Sequence, residues 1–193
     1  MKKKQKTPVS GQLLVADYQS AFIGLATAQY AQAEAHRSEE AVVSELQSLS
    51  SQSYLNPGSI SPVRQNDIGR ASVNAHVMKV QAEQLQQMSQ QQLVALQDQV
   101  SRDYIGKKVL ITPFEASESP FDTVWFNQQT GYRSNPNKKK NIKGTITEIS
   151  LEKNLLVIKP TLFPRMINGE LNAYFVYVID PLTAQPAVEI QLV

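Results

Sequence analysis

The stretch DYIGKKVLI, residues 103–111, decides the fold of this chain of 193 residues. About a hundred mostly polar residues, rich in glutamine and alanine, precede it, and their apolar positions recur at the spacing of long helices. Short apolar runs with a period of two follow it and are typical of strands. Gly106 stands at the change of period, where glycine lets a helix end and the chain turn. We therefore predict a helical limb over residues 13–103 and a small β domain over residues 104–193.

The limb is predicted as two long helices, from residue 13 to about 50 and from 67 to about 102. Asn56-Pro57-Gly58 indicates a turn between them. The charged interval over residues 34–40 is either a break in the first helix or a solvated part of it. Each apolar row is too thin to stabilise a lone helix in water, so we expect a helical hairpin that also packs on copies or neighbours. The residues predicted to carry these protein contacts are Leu14, Tyr18, Phe22, Leu25, Met78, Leu85, Met88, Leu93 and Leu96.

The β domain is predicted to contain five or six short strands. Apolar alternation places them at about 107–113, 121–127, 143–150, 154–159 and 172–179, with a last one around Val188, Ile190 and Leu192. The run 172–179 is apolar on both faces, so its strand should be central, whereas the last should be half exposed. So many short strands in so few residues predict a small barrel or a sandwich.

Residues 128–141 are polar and basic and are predicted as an exposed loop. Cations beside an aromatic residue on a small β domain are a surface that binds phosphates and stacks bases. Against this, aromatic residues are sparse there and the same domain contains several carboxylates. The residues of this possible contact loop are Tyr132, Arg133, Lys138, Lys139, Lys140 and Lys143.

Few residues suggest catalysis. There is no cysteine, which excludes disulfides, thiolate zinc sites and a cysteine nucleophile. His36 and His76 lie far apart on predicted helices, without carboxylates at metal-ligand spacing, and neither phosphate-binding glycine loops nor a nucleophile elbow occur. A net charge of +2 does not demand nucleic acid as a partner. We predict a protein that is not an enzyme and that needs no cofactor and no metal.

The amino terminus, MKKKQK over residues 1–6, resembles the basic end of a signal peptide. The following run from 9 to 35 is interrupted by Gln12, Asp17, Gln19 and Ser20, so it lacks a continuous apolar core. We therefore expect neither a cleavable signal peptide nor a membrane span. Residues 1–12 are interpreted as a disordered basic tail, with a short phosphate-contacting arm as the alternative.

Three segments are similar to parts of one known family. Residues 20–29, SAFIGLATAQ, resemble the amino-terminal helical segment of the flagellar hook-capping scaffold family, whose relatives also occur in phage tails. Residues 104–109, YIGKKV, are similar to its junction between helix and barrel, and residues 143–149, KGTITEI, to the closing strand of its tudor-like barrel. In that family an immunoglobulin-like domain is inserted in the barrel, and residues 114–141 are too few to form one. The resemblance implies an SH3/tudor-like β-barrel over 104–193 and a non-enzymatic scaffold that assembles into a ring or cap.

These observations favour a structural or assembly protein of a large symmetric complex, such as a phage tail, neck or baseplate, or a flagellar cap. Its partners would be copies of itself and neighbouring structural proteins, in a virion or an extracellular or periplasmic appendage after synthesis in the cytoplasm. Tyr104, Ile105 and Gly106 would form a hinge, with the two apolar side chains buried in the barrel. Two alternatives stay open, a nucleic-acid-binding adaptor that uses the basic loop and tail, and a helical adaptor docking on membrane-bound machinery.

Overall fold

The computed structural model describes residues 10–56, 58, 60–114, 120–127, 131–136, 141–161 and 171–193. Helix α1 spans Gly11–Leu55 and helix α2 spans Pro62–Tyr104. The class is the predicted α+β, long helices followed by an antiparallel sheet. The strands are β1 (Lys108–Pro113), β2 (Phe121–Asn127), β3 (Gly131–Pro136), β4 (Ile142–Ser150), β5 (Leu155–Pro160), β6 (Leu171–Tyr177) and β7 (Val188–Leu192).

Both helices begin at side-chain caps. The hydroxyl oxygen of Ser10 accepts a hydrogen bond from the backbone N–H of Leu13 at 3.3 Å, and that of Ser61 accepts one from Arg64 at 3.3 Å. Pro62 then occupies the first position of α2, where its missing N–H would have had no helical partner. Helix α2 therefore begins earlier than residue 67. Helix α1 continues through residues 34–40, so the charged interval is a solvated part of one helix.

The strands form one antiparallel sheet in the order β3-β2-β6-β5-β4-β1-β7. Strand β6 lies between β2 and β5, as its apolar faces predict, and β7 lies at an edge of the described sheet. The β4–β5 hairpin turns through residues 151–154, with Asn154 in a left-handed conformation at φ 53°. A bulge between Ile146 and Glu148 in β4 accompanies the curl of the sheet into a half-barrel.

The prediction of a loop over residues 128–141 is wrong for its middle part. Gly131–Pro136 forms strand β3, in which Tyr132 pairs with Phe126 and Arg133 with Trp125 of β2. An edge strand needs only backbone hydrogen bonds to one neighbour, so this run joins the sheet without the apolar alternation that marks a buried strand. Residues 137–140, which include three of the predicted contact lysines, lie outside the described residues.

Gly106 connects the last helix to the first strand, as the change of period predicts. Its φ of +85° is the left-handed conformation with which helices commonly end, and which glycine adopts at little cost. The N–H of Gly106 donates to the carbonyl of Ile146 at 2.8 Å, and the N–H of Ile146 donates to the carbonyl of Lys107 at 3.0 Å. The turn after α2 is therefore itself bonded to strand β4.

Backbone contacts divide the chain into two compact units. The sheet unit comprises Met1–Ile23 with Gln92–Val193, and the hairpin unit comprises Gly24–Gln91. The sheet unit thus contains the first turns of α1 and the last turns of α2 in addition to all strands. Its fully buried side chains are large and include Leu14, Tyr18, Val109, Ile111, Phe121, Ile142, Ile146, Leu156, Ile158, Val176 and Val178.

The hairpin unit consists of two antiparallel helical segments. Lys79 bonds Glu39 at 3.0 Å and Arg64 bonds Glu45 at 3.0 Å, so later residues of α1 face earlier residues of α2. Its buried positions are separated by seven or fourteen residues on both helices, in keeping with the heptad repeat of a coiled coil. These buried residues are Ala28, Ala35 and Leu49 on α1 and Ile68, Ala75 and Ala82 on α2.

Candidate interaction surface

The predicted hinge is held by several hydrogen bonds within the sheet unit. Tyr104 is buried and its hydroxyl donates to the carbonyl of Ser10 at 2.9 Å. Val109 and Ile111 are fully buried, as expected for the strand that follows. The prediction that Ile105 is buried is wrong, since 47% of its surface is exposed. It occupies the turn between helix and strand.

Gln97 fixes the end of α2 to the β4–β5 hairpin. Its amide nitrogen donates to the carbonyl of Ile149 at 2.7 Å, and its amide oxygen accepts from the N–H of Leu151 at 2.9 Å. Ile149 in β4 and Leu151 in the turn are both buried, so the amide satisfies backbone groups that have little access to water. In the sequence this residue is one of the many glutamines of α2, and nothing in its spacing distinguishes it from its exposed neighbours.

Tyr18 fixes the beginning of α1 to the same hairpin. Its side chain is fully buried and its hydroxyl donates to the carbonyl of Leu155 at 2.6 Å. Burial raises the pKa of Tyr18 well above its ordinary value, so the phenol keeps its proton and acts as a hydrogen-bond donor. Tyr18 and Leu14 were predicted as contacts to other proteins, whereas the structure buries both inside the sheet unit.

Two carboxylates lie near each other where the helix ends meet the sheet unit. Burial, and then the negative charge of Asp103, raise the pKa of Asp17. Burial and the same two charges raise the pKa of Tyr104. In the described residues no group of three or more His, Asp or Glu side chains could hold a metal ion. The raised pKa means that the charged form of Asp17 is disfavoured in the folded chain.

Most of the other predicted contact residues are at least partly covered. Leu93 is buried, and Phe22, Leu25, Leu85 and Leu96 are half-buried. Only Met78 and Met88 of the predicted set remain exposed. The apolar row read from the sequence is mainly the row that the chain itself covers.

A second row on α2 was missed. Val73, Val77 and Val80 are 63%, 45% and 38% exposed, and they lie about two positions, or about 200°, around the helix from the buried alanines. Their 4-3 spacing extends in both directions through polar residues that are also exposed. The sequence does show this row as three valines at heptad spacing, but the valine run is short and mostly flanked by side-chain amides. We call the following residues the outward row: Asn66, Arg70, Val73, Val77, Val80, Gln84, Gln87 and Gln91.

A groove of about 340 Å³ opens between the helices of the hairpin unit. Val42, Val43 and Leu46 line it from α1, and Ala75 and Val80 line it from α2. Ala75 contributes only a methyl group to the lining of this groove. Charged side chains, including the ion pair described above, line the remainder of the groove.

The predicted basic loop cannot be assembled into a site from the described residues. Lys143 lies in β4 with an exposed side chain, and Tyr132 and Arg133 lie in β3. Two strands are thus involved where a single loop was expected.

No protein-family model, no curated protein and no solved structure matches this chain. Among the helices of the described residues, none has a stretch long and apolar enough to cross a bilayer.

Proposed function

We propose that this chain is a non-enzymatic structural protein that assembles, with copies of itself and with neighbouring structural proteins, into a large symmetric complex. Such complexes include a phage tail, neck or baseplate, or a flagellar-cap-like scaffold, in a virion or an extracellular or periplasmic appendage. We further propose that the sheet is of the SH3/tudor-like barrel type and serves as the docking head. No cofactor, metal or membrane insertion is required in this proposal.

The observation that carries the proposal is the exposed apolar surface of the hairpin unit. Tyr30 on α1 and Val73, Val77 and Met88 on α2 each expose a large part of their surface. Single exposed apolar side chains are ordinary, but rows of them along a helix indicate a protein interface. A second protein surface would remove these side chains from water at about 25 cal/mol per Å².

The thin seam of the hairpin supports the same proposal. Four of its six buried apolar residues are alanines, each of which contributes a single methyl group, or about 0.8 kcal/mol at most, to burial. The sheet unit by contrast buries Ile, Leu, Val, Phe and Tyr side chains. A hairpin with so small a core gains more from a partner than from its own packing.

The test is the native mass of the purified full chain, measured by light scattering from about 1 to 200 μM. We expect species well above the monomer mass of 21.5 kDa at the upper end of this range. Introducing Lys at both Val73 and Val77 should return the chain towards the monomer, whereas Lys at the exposed positions Gln47 and Ser48 of α1 serves as the control. A wild-type chain that stays a stable monomer throughout, with no partner required, would refute the proposal.

A further inference from the structure

We propose that a second copy of this chain covers the outward row of α2, in an antiparallel pair with Val77 of each copy against Val80 of the other. This inference rests on the proposed function and names the partner and the surface. It goes further because it specifies orientation and register, which self-assembly alone does not.

The spacing of the outward row shows that an α-helix fits it. Its eight members alternate between steps of four and three residues from Asn66 to Gln91, the a/d pattern that places knobs into the holes of a facing helix. All eight are exposed, and they extend along about 38 Å of helix at ~1.5 Å per residue. The opposite side of α2 carries its own heptad, buried in the hairpin. Helix α2 therefore has two rows at heptad spacing, and the outward row stays exposed although Val80 also lines the groove towards α1.

Charge complementarity favours a second copy in the antiparallel orientation. In a parallel pair each residue of the row meets itself, so Arg70 would face Arg70 of the other copy and two like charges would be desolvated together. In an antiparallel pair an a position meets a d position instead. With Val77 against Val80, Arg70 meets Gln87, whose amide oxygen can accept from the guanidinium. Val73 then meets Gln84, so two central valine layers are bounded by mixed layers.

The residues beside the row select this register. In an antiparallel coiled coil, positions on the same flank of the two helices face each other. With Val77 against Val80, His76 faces Glu83 of the other copy, twice by symmetry, and Asn74 faces Gln81. A shift of one heptad would place Arg70 against Val80 and His76 against His76. Only the first of these two registers gives His76 a carboxylate as its partner.

The size of the surface predicts a weak pair. A strip about 38 Å long and about one helix diameter, or ~10 Å, wide covers on the order of 400 Å² on each copy. The total of about 800 Å² lies below the 1,200 Å² at which stable interfaces begin, so association in the micromolar range or weaker is expected. Within a ring or cap, further contacts would raise the effective concentration of one copy at the other, so that this weak seam would be enough to hold the pair together.

The absence of cysteine from the chain permits a direct test of register by cross-linking. Full-length His76→Cys and Glu83→Cys chains are prepared separately, mixed at about 100 μM and oxidised mildly. The proposal expects a species of twice the chain mass in the mixture at at least fivefold higher yield than in either variant alone. Both positions are exposed, so unchanged helical circular dichroism should confirm that each variant folds. A mixture of Ala41→Cys and Ser48→Cys, which repeats the seven-residue spacing on an exposed face of α1, is the matched control.

Each other result overturns the proposal. Cross-linking of His76→Cys with itself would indicate the shifted register, and a yield in the control equal to that of the mixture would indicate random encounter. Adding Val77→Lys to both cysteine chains should lower the yield at least fivefold, and an unchanged yield would show that the valine layers are not involved. If cross-linking fails while light scattering still shows oligomers, the seam is wrong and the proposed function stands. If the chain is a monomer at every concentration, both fail.

Discussion

Replacing Gln97 by alanine should destabilise the sheet unit more than replacing any other glutamine of α2 by alanine. The change removes both hydrogen bonds to the β4–β5 hairpin and leaves the carbonyl of Ile149 and the N–H of Leu151 without their side-chain partner. Both residues are buried, at 5% and 1% exposure, so water cannot readily replace the amide. A buried polar group left unsatisfied costs about 1–3 kcal/mol, so two such groups place the loss at about 2–6 kcal/mol. For a unit of this size that corresponds to a fall in Tm on the order of 10 °C.

The measurement is urea unfolding followed by the fluorescence of Trp125, the single tryptophan and a residue of β2. Gln99→Ala is the matched control, because Gln99 lies on the same turn of α2 but is exposed, and it should change the free energy of unfolding by less than about 0.5 kcal/mol. Equal effects of the two substitutions would refute the conclusion that Gln97 fixes the end of α2 to the β4–β5 hairpin.

Gln97→Glu sharpens the test because it keeps the shape of the side chain. At neutral pH the carboxylate still accepts from Leu151 but faces the carbonyl of Ile149 with no proton to donate. The variant should therefore be at least as unstable as Gln97→Ala near pH 7. Protonation restores a donor, so its stability relative to wild type should rise as the pH is lowered towards 4. A deficit that does not depend on pH would show that the bond to Ile149 contributes nothing.

Four further outcomes are expected. Gly11→Ala should cost about 1–3 kcal/mol in thermal unfolding, because a Cβ there would overlap a backbone carbonyl of β7. Tyr18→Phe should cost about 1–2 kcal/mol, since the carbonyl of Leu155 would lose the hydroxyl that donates to it. Tyr30→Phe on the exposed surface should be neutral in the same assay. Asp17→Asn should stabilise the chain at pH 7, because the raised pKa makes the charged form unfavourable in the folded state, and this gain should vanish in unfolding curves recorded below about pH 4, where the wild-type carboxyl is protonated. Amides of Gly24–Gln91 should exchange with deuterium faster than those of the sheet in dilute solution, and equal protection would contradict the view that the hairpin is thinly packed.

Periodicity was sufficient to predict the helices and most strands. Two long helical patterns, a glycine at the change of period and alternating apolar residues in β1, β4, β5, β6 and β7 each have a local cause that the sequence shows directly. Strand β3 has no such cause. Its residues are held by backbone pairing with β2. The polar residues of such an edge strand do not alternate with apolar ones, so the sequence pattern does not reveal the strand.

The division into units, and the side chains that hold the helix ends to the β4–β5 hairpin, were not predictable for a similar reason. Leu14 and Tyr18 fit a helical seam by spacing, but spacing does not tell whether a helix or a sheet covers that seam. Gln97 is one glutamine among many, and only the fold reveals that a buried hairpin turn lies within reach of its amide. Side chains that satisfy distant backbone groups depend on tertiary geometry, which sequence spacing does not contain.

The two seams of α2 differ in a way that bears on assembly. The seam inside the hairpin is mostly alanine, whose small side chains let two helices approach closely but bury little area. The outward row places β-branched valines at its centre, which bury more area per residue and have fewer rotamers to lose on packing. Val73 and Val77 thus stay exposed to water while Ala75 and Ala82 are buried. A chain selected only to fold as a monomer gains nothing from that distribution, because the same valines in the alanine positions would fill the groove beside Ala75 and strengthen its core. The arrangement is explained if the stability of the hairpin is completed by a partner helix.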